Sequence, residues 1–244
     1  MTIPTDHPRF QSLIVRERLA GSVRDGIVSL EGLVAHGRGE AFDYLIGERT
    51  TDSALLAEKT AAAMLRSARH PVISVNGNTA ALAAREIALL QQASGAIVEI
   101  NLFHRTEERI RKISQLLESN GVTVLSGKAE RIVPLSHDRA LSYPEGTGKA
   151  DVILVPLEDG DRCEALLKMG KAVIAIDLNP LSRTARMASL TIVDEVTRAL
   201  PMITGFLMTL QEQEMVLLSR TPDNNYFLTE AMKEMNRRLA HALD

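Results

Sequence analysis

This chain is dominated by a series of short aliphatic runs, most of them followed by a helix-periodic stretch. The runs cover residues 71–76, 96–101, 122–126, 151–157, 171–178 and 190–195. Most are near-continuous Val, Ile and Leu rather than alternating, so these strands must be covered on both faces, as in a parallel sheet. Between and after them, residues 79–92, 106–120, 161–169, 196–213 and 223–243 read as helices. The expected fold is α/β: a Rossmann-like three-layer domain with right-handed crossovers, preceded and followed by helices. Residues 1–70 form a helical segment packed on the core, and residues 71–244 the Rossmann-like domain with its C-terminal helices.

In the N-terminal part, Thr5 or Asp6 is expected to cap a first helix, with Pro8 in its first turn. A second helix-like stretch follows and is expected to break at Gly37 and Gly39. Residues 51–68 form a third helix with an alanine-rich face. Residues 127–150, with Pro134, Pro144 and several glycines, read as a long surface loop.

Composition narrows the function classes. With 3% aromatics and no Trp, the core must be aliphatic. A net charge of -3 gives no basic excess for a nucleic acid. The single cysteine, Cys163, rules out an internal disulfide and is expected to be a buried small residue in its helix. No apolar run reaches membrane-spanning length and no signal-like core opens the chain. A cytoplasmic protein with no membrane or nucleic-acid partner is expected.

In an open parallel sheet, ligands sit at the carboxyl ends of the strands. Four of those ends are polar here: Asn76-Gly77-Asn78, Asn101 to Arg105, Glu158 to Arg162, and Asp177-Leu178-Asn179. The turn at Asn76 to Thr79 suits an anion at a helix start, or is merely a helix capped by Asn78 or Thr79. Arg105 offers a planar fork for a phosphate, or forms with His104 a solvated pair. Asp177 could accept hydrogen bonds from a ribose with Arg183 meeting phosphates, or the two are a cap and an exposed arginine. The stretch from His36 to Glu40 places Arg38 between two glycines, where backbone can approach a ligand, or forms a helix–helix turn.

Three signals fail. Gly148-Lys149 resembles a phosphate-binding loop, but Tyr143 stands where the motif needs glycine and Ala150 where it needs Ser or Thr. No GxGxxG occurs. The histidines lack a ligand spacing, so no metal site is expected.

The stretches Gly32 to Glu48 and Asp177 to Ala185 resemble the archaeal phosphopantothenate synthetase family, as do Ile3 to Arg9, Arg16-Glu17, Asn78 to Leu82, Asn101 to Arg109 and Leu157 to Arg162. The likeness runs in order through nearly the whole chain. It implies a homodimeric, Mg²⁺-dependent ligase that joins 4-phosphopantoate to β-alanine at the expense of ATP. It also implies ATP contacts from Arg16, Arg38, Asp177, Leu178, Asn179, Arg183, Thr184, Glu195 and Val196. Asn76, Asn78, Asn101 and Arg105 are candidates for the acid, and Arg162 for the β-alanine carboxylate. Arg38 and His104 are the catalytic candidates, one for charge and one for a proton. Two rival classes remain: an NAD(P)-dependent dehydrogenase, which the missing glycine motif disfavours, and a non-catalytic nucleotide-binding regulator.

Overall fold

A computed structural model describes residues 3–220 and 222–242. Three helices come first: α1 (Phe10–Arg24), α2 (Leu30–Ile46) and α3 (Asp52–Ser67). Strands and helices then alternate through β1 (Pro71–Val75), α4 (Gly77–Ser94), β2 (Ile97–Ile100) and α5 (Glu107–Ser119). A short antiparallel pair, β3 (Glu130–Arg131) and β4 (Leu141–Ser142), interrupts the alternation. It resumes with β5 (Val152–Pro156), α6 (Gly160–Lys168), β6 (Ala172–Ile176), α7 (Arg183–Met187) and β7 (Leu190–Ile192). Helices α8 (Val196–Thr209), α9 (Glu212–Leu218) and α10 (Asn224–Ala240) close the chain.

The main sheet has the order β2-β1-β5-β6-β7, and every pairing is parallel. The chain leaves β1 towards β2, then crosses back to lay β5 on the other side of β1. Strand order therefore reverses between β1 and β5, and this is where an open parallel sheet forms its ligand crevice.

Alternation along the strands sorts the core into two layers. Ile73, Val75, Val98, Ile100, Leu154, Ile174 and Ile192 face the helices α3, α4, α5 and α8. Val72, Ile153, Val155, Val173 and Ala175 face Cys163, Ala165 and Leu166 of α6. The alanine face of α3, with Ala57, Ala61, Ala62 and Ala63 buried, lets α3 lie close to its neighbours. The result is the expected three-layer α/β fold.

Several local expectations are corrected. Helix α1 starts at Phe10 rather than near Thr5, because Arg9 is its N-cap and Pro8 lies before it. Helix α2 runs unbroken through Gly37 and Gly39; Ser29 caps it through the Gly32 N–H. The glycine cost, about 1 kcal/mol each, is outweighed by the packing of a 17-residue helix. Residues 122–126 do not form a strand; only Val124 bridges to Val98. The expected helix over 196–213 is two helices, parted at Leu210.

The largest departure is residues 127–150. They are not a surface loop. Val133, Arg139, Ala140, Ser142, Tyr143 and Thr147 are buried. The buried Glu99 carboxylate of β2 accepts the Thr147 and Tyr143 N–H groups at 2.6 and 3.3 Å, so a charged residue in a strand anchors this segment.

Candidate functional site

Strand β1 leads into Asn76, whose side chain does two jobs. Its Oδ1 accepts the Thr79 N–H at 3.0 Å, which makes Asn76 the N-cap of α4 in place of Asn78 or Thr79. Its Nδ2 donates to the Pro156 and Leu157 carbonyls at 2.9 and 3.0 Å, fastening β1 to the end of β5. Leu157 itself sits at φ 55, a left-handed conformation that costs a non-glycine residue energy. That kink turns Glu158 back into the molecule.

Around these strand ends lies a crevice of about 630 Å³. Helix α2 forms one wall with His36, Arg38 and Gly39. The floor comes from Asn76, Gly77 and Asn78 after β1, and from Glu158, Asp159 and Gly160 after β5. Asp177, Leu178 and Asn179 after β6, with Arg183 and Thr184 of α7, line one end; Phe103, His104, Arg109 and Arg139 line the other. The N-termini of α4 and α6 both open here, and their free N–H groups favour an anion.

The charges are arranged unevenly. Arg183 lays its stem on Gly160 and pairs its guanidinium with Asp161 and Glu164, both on the exposed side of α6. Such exposed pairs are worth little, so Arg183 can exchange them for a ligand at small cost. Arg38 is exposed, and its charge acts on Asp177. Burial pushes the Asp177 carboxyl above its ordinary range, against hydrogen bonds from Ser182 and the Asn179 N–H. Arg109 donates to the His104 and Ile27 carbonyls at 2.6 and 3.0 Å, and burial lowers its pKa. His36 is buried, its Nε2 has no hydrogen-bond partner among the described residues, and burial lowers its pKa too.

The model of the phosphopantothenate/pantothenate synthetase family matches residues 53–238 of this chain. The chain is also similar throughout to proteins named 4-phosphopantoate–β-alanine ligase. That of Methanospirillum hungatei is 59% identical over 242 residues, covering 99% of this chain and 100% of the relative. That of Methanosarcina mazei is 52% identical over 241 residues, covering 97% and 95%. That of Thermococcus kodakarensis is 46% identical over 245 residues, covering 98% and 94%. The chain belongs to the phosphopantothenate/pantothenate synthetase family.

In this synthetase-family chain, the residues singled out from the sequence fall into two sets. Arg38, Asn76, Asn78, His104, Asp177, Leu178, Asn179, Arg183 and Thr184 line one crevice. The others stand outside it. Arg16 pairs with Glu40 at 2.6 Å on the outer side of α1 and α2. Glu195 caps α8 through the Thr197 N–H, with Val196 buried behind it. Asn101 is buried and donates to the Leu141 carbonyl at 3.1 Å, holding the 139–141 segment. Arg105 stacks on Tyr143, with its guanidinium 5.9 Å from the ring centre, beside a second cavity. Arg162 is fully buried and does not line this crevice.

Two crevice arginines had been given no role. Arg109 lies in the first turn of α5, just beyond the polar strand end at Asn101 to Arg105; that closeness was the available signal. Arg139 had no such signal, because it belongs to the aperiodic 127–150 segment.

Proposed function

We propose that this chain is an ATP-dependent ligase that condenses (R)-4-phosphopantoate with β-alanine to give 4′-phosphopantothenate, AMP and pyrophosphate. The observation that carries the reading is the crevice at the strand-order reversal, on a chain that matches named ligases of this chemistry from end to end. A carboxylate is a poor acyl donor because oxide is a poor leaving group. In the proposed route, one carboxylate oxygen of the acid attacks the α-phosphorus of ATP. The bond from that phosphorus to the bridging oxygen breaks, and pyrophosphate leaves. The β-alanine amine then attacks the acyl carbon of the adenylate and expels AMP, giving up a proton as the amide forms.

Two anions must meet in the first step, so fixed positive charge is needed where it develops. Arg38 on α2, Arg183 on α7 and the N-termini of α4 and α6 supply it. Asp177 and Asn179 suit the ribose or adenine, and Thr184 and Leu178 complete that end. Asn76 and Asn78 hold the middle, next to the acid. His104, exposed at the far end, is the candidate to take the ammonium proton. Among the described residues, no cluster of three or more acidic, His or Cys side chains is poised for a metal. Mg²⁺ would then arrive as part of the Mg·ATP substrate, held chiefly by phosphates, with single carboxylates such as Asp159 or Asp177 in reach of the crevice.

The homodimer finds a candidate face on α2. Leu30, Val34, Gly37, Ala41 and Tyr44 follow a helical stripe and are all exposed. Leu30, Val34 and Tyr44 are more than half exposed, and among the described residues nothing lies within 4 Å of a Cβ built on Gly37. Small residues at Gly37 and Ala41 would let a second α2 come close. The same helix lines the crevice on its other side, so a second copy here would stiffen that wall.

The test is to supply the protein with Mg·ATP, β-alanine and 4-phosphopantoate and to follow AMP and 4′-phosphopantothenate by mass spectrometry. Stoichiometric formation that requires all three substrates is expected. A protein that turns over pantoate better than 4-phosphopantoate would overturn the phosphate assignment; one inert with all acids would overturn the ligase reading.

A further inference from the structure

Arg139, Glu158 and Arg162 form a chain of charges running from the floor of the crevice into the core. Arg162 comes from the first turn of α6 and is 0% exposed. Its Nη1 donates to the Glu158 Oε2 at 2.5 Å and to the Ser74 hydroxyl of β1 at 3.0 Å. Glu158, with 2% of its side chain exposed, meets Arg139 Nη1 through its other oxygen at 3.1 Å. Arg139 Nη1 also donates to the Asn101 carbonyl at 3.2 Å, and its Nε to Asp159 at 3.0 Å. The Arg139 Nε and Nη1 are thus committed. Its Nη2 has no hydrogen bond among the described residues and is not sealed from solvent, and Arg139 lines the crevice while remaining 6% exposed.

Two cations share one buried carboxylate here, with Asp159 half exposed beside them. Burial drives the Glu158 carboxyl upwards, but Arg139 and Arg162 outweigh it and hold it below its ordinary value, so it is ionised. Retaining such a cluster is costly unless each member is held by several bonds. The Arg139 guanidinium thus stands at the crevice end of the chain, held by Glu158, Asp159 and the Asn101 carbonyl so that it cannot swing away. Preorganised charge of this kind is what recognition of an anion requires.

We propose that Glu158 and Arg162 are positioning residues that preset the Arg139 guanidinium to bind an anionic oxygen of the acid substrate, its phosphate or its carboxylate. This rests on the ligase reading above and adds residues to it. Arg162 then contributes to acid binding without touching the acid, which explains how a fully buried arginine can matter to the site.

The test is calorimetric binding of 4-phosphopantoate, and separately of pantoate, to the whole protein and to Arg139→Lys, Glu158→Gln and Arg162→Lys, with ATP binding measured on each. The expected result is acid binding weakened about tenfold or more in all three, with ATP affinity within about twofold of wild type. Loss for 4-phosphopantoate alone assigns the phosphate to Arg139; loss for both acids assigns the carboxylate. Equal loss of ATP and acid binding would mean structural damage only and would overturn the proposal, as would unchanged acid binding. Should Glu158→Gln fail to fold, Arg139→Lys, which keeps the charge, decides alone. A wild-type protein that binds neither acid removes the ligase reading, and this proposal with it.

Discussion

The Nδ2 of Asn78 donates to the carbonyl of Gly32 at 2.8 Å, and this bond ties the start of α4 to the helix that forms the crevice wall. The contact is possible because Gly32 has no Cβ; one built there would overlap the Asn78 Oδ1. At the neighbouring Gly77, an added Cβ would overlap the backbone carbonyl of Ile27, the same oxygen that accepts from Arg109. A side chain can rotate aside, but a backbone carbonyl held in a loop cannot. Gly77→Ala should therefore cost more than Gly32→Ala, each roughly 1–3 kcal/mol from overpacking against a gain of about 1 kcal/mol in helix propensity. Urea unfolding of the two variants gives the order; a more stable Gly77→Ala protein would contradict the packing.

Glu58 on α3 lies fully buried, and neither of its oxygens finds a donor among the described residues. Burial first, and the nearby Asp194 second, push its carboxyl up to about 9. A proton on Glu58 resolves the conflict by giving it a hydrogen to donate to Asp194, whose other bonds come from Thr50, Arg198 and the Glu195 N–H. Since the folded-state pKa lies above the unfolded one, this proton contributes stability that is full below about pH 4.5 and is lost as pH rises towards about 9. Wild type should lose stability between pH 6 and about pH 9 relative to Glu58→Gln, which cannot titrate. Parallel pH profiles for the two proteins, followed by urea unfolding, would refute the assignment.

Much of the architecture was legible because continuous Val/Ile/Leu strands dictate a sheet covered on both faces. The strand-end rule then pointed to Asn76, Asp177 and their neighbours, and those positions do share a crevice. What the sequence hid has physical reasons. Gly37 and Gly39 read as helix breakers, yet a long packed helix absorbs two glycines. The 127–150 segment lacks periodicity because its order comes from Glu99, a residue distant in sequence, rather than from its own pattern. Arg139 was hidden with it. Arg162 read as a candidate for the β-alanine carboxylate because it follows a polar strand end; its burial against Ser74 and Glu158 shows only once β1 and β5 lie side by side.

Arg38 is exposed on the crevice wall, where in the proposed adenylation it would meet the charge that builds up on the phosphates. Arg38→Ala should lower the rate of acid-dependent ATP–pyrophosphate exchange by about 100-fold while changing ATP affinity much less. A full-rate variant would remove Arg38 from the chemistry.

The exposed stripe on α2 predicts its own outcome. Val34→Glu places a charge at the centre of the proposed contact and should shift the protein towards monomer in sedimentation velocity, with the melting temperature little changed. A dimer unaffected by Val34→Glu would place the contact elsewhere.

The proposed activation of the acid is transfer of the adenylyl group of ATP to its carboxylate, with pyrophosphate leaving. It is tested most directly with 4-phosphopantoate carrying ¹⁸O in its carboxylate. The account predicts one labelled oxygen in the phosphate of the AMP released as the amide forms. Label appearing in inorganic phosphate, with ADP as the nucleotide product, would contradict it.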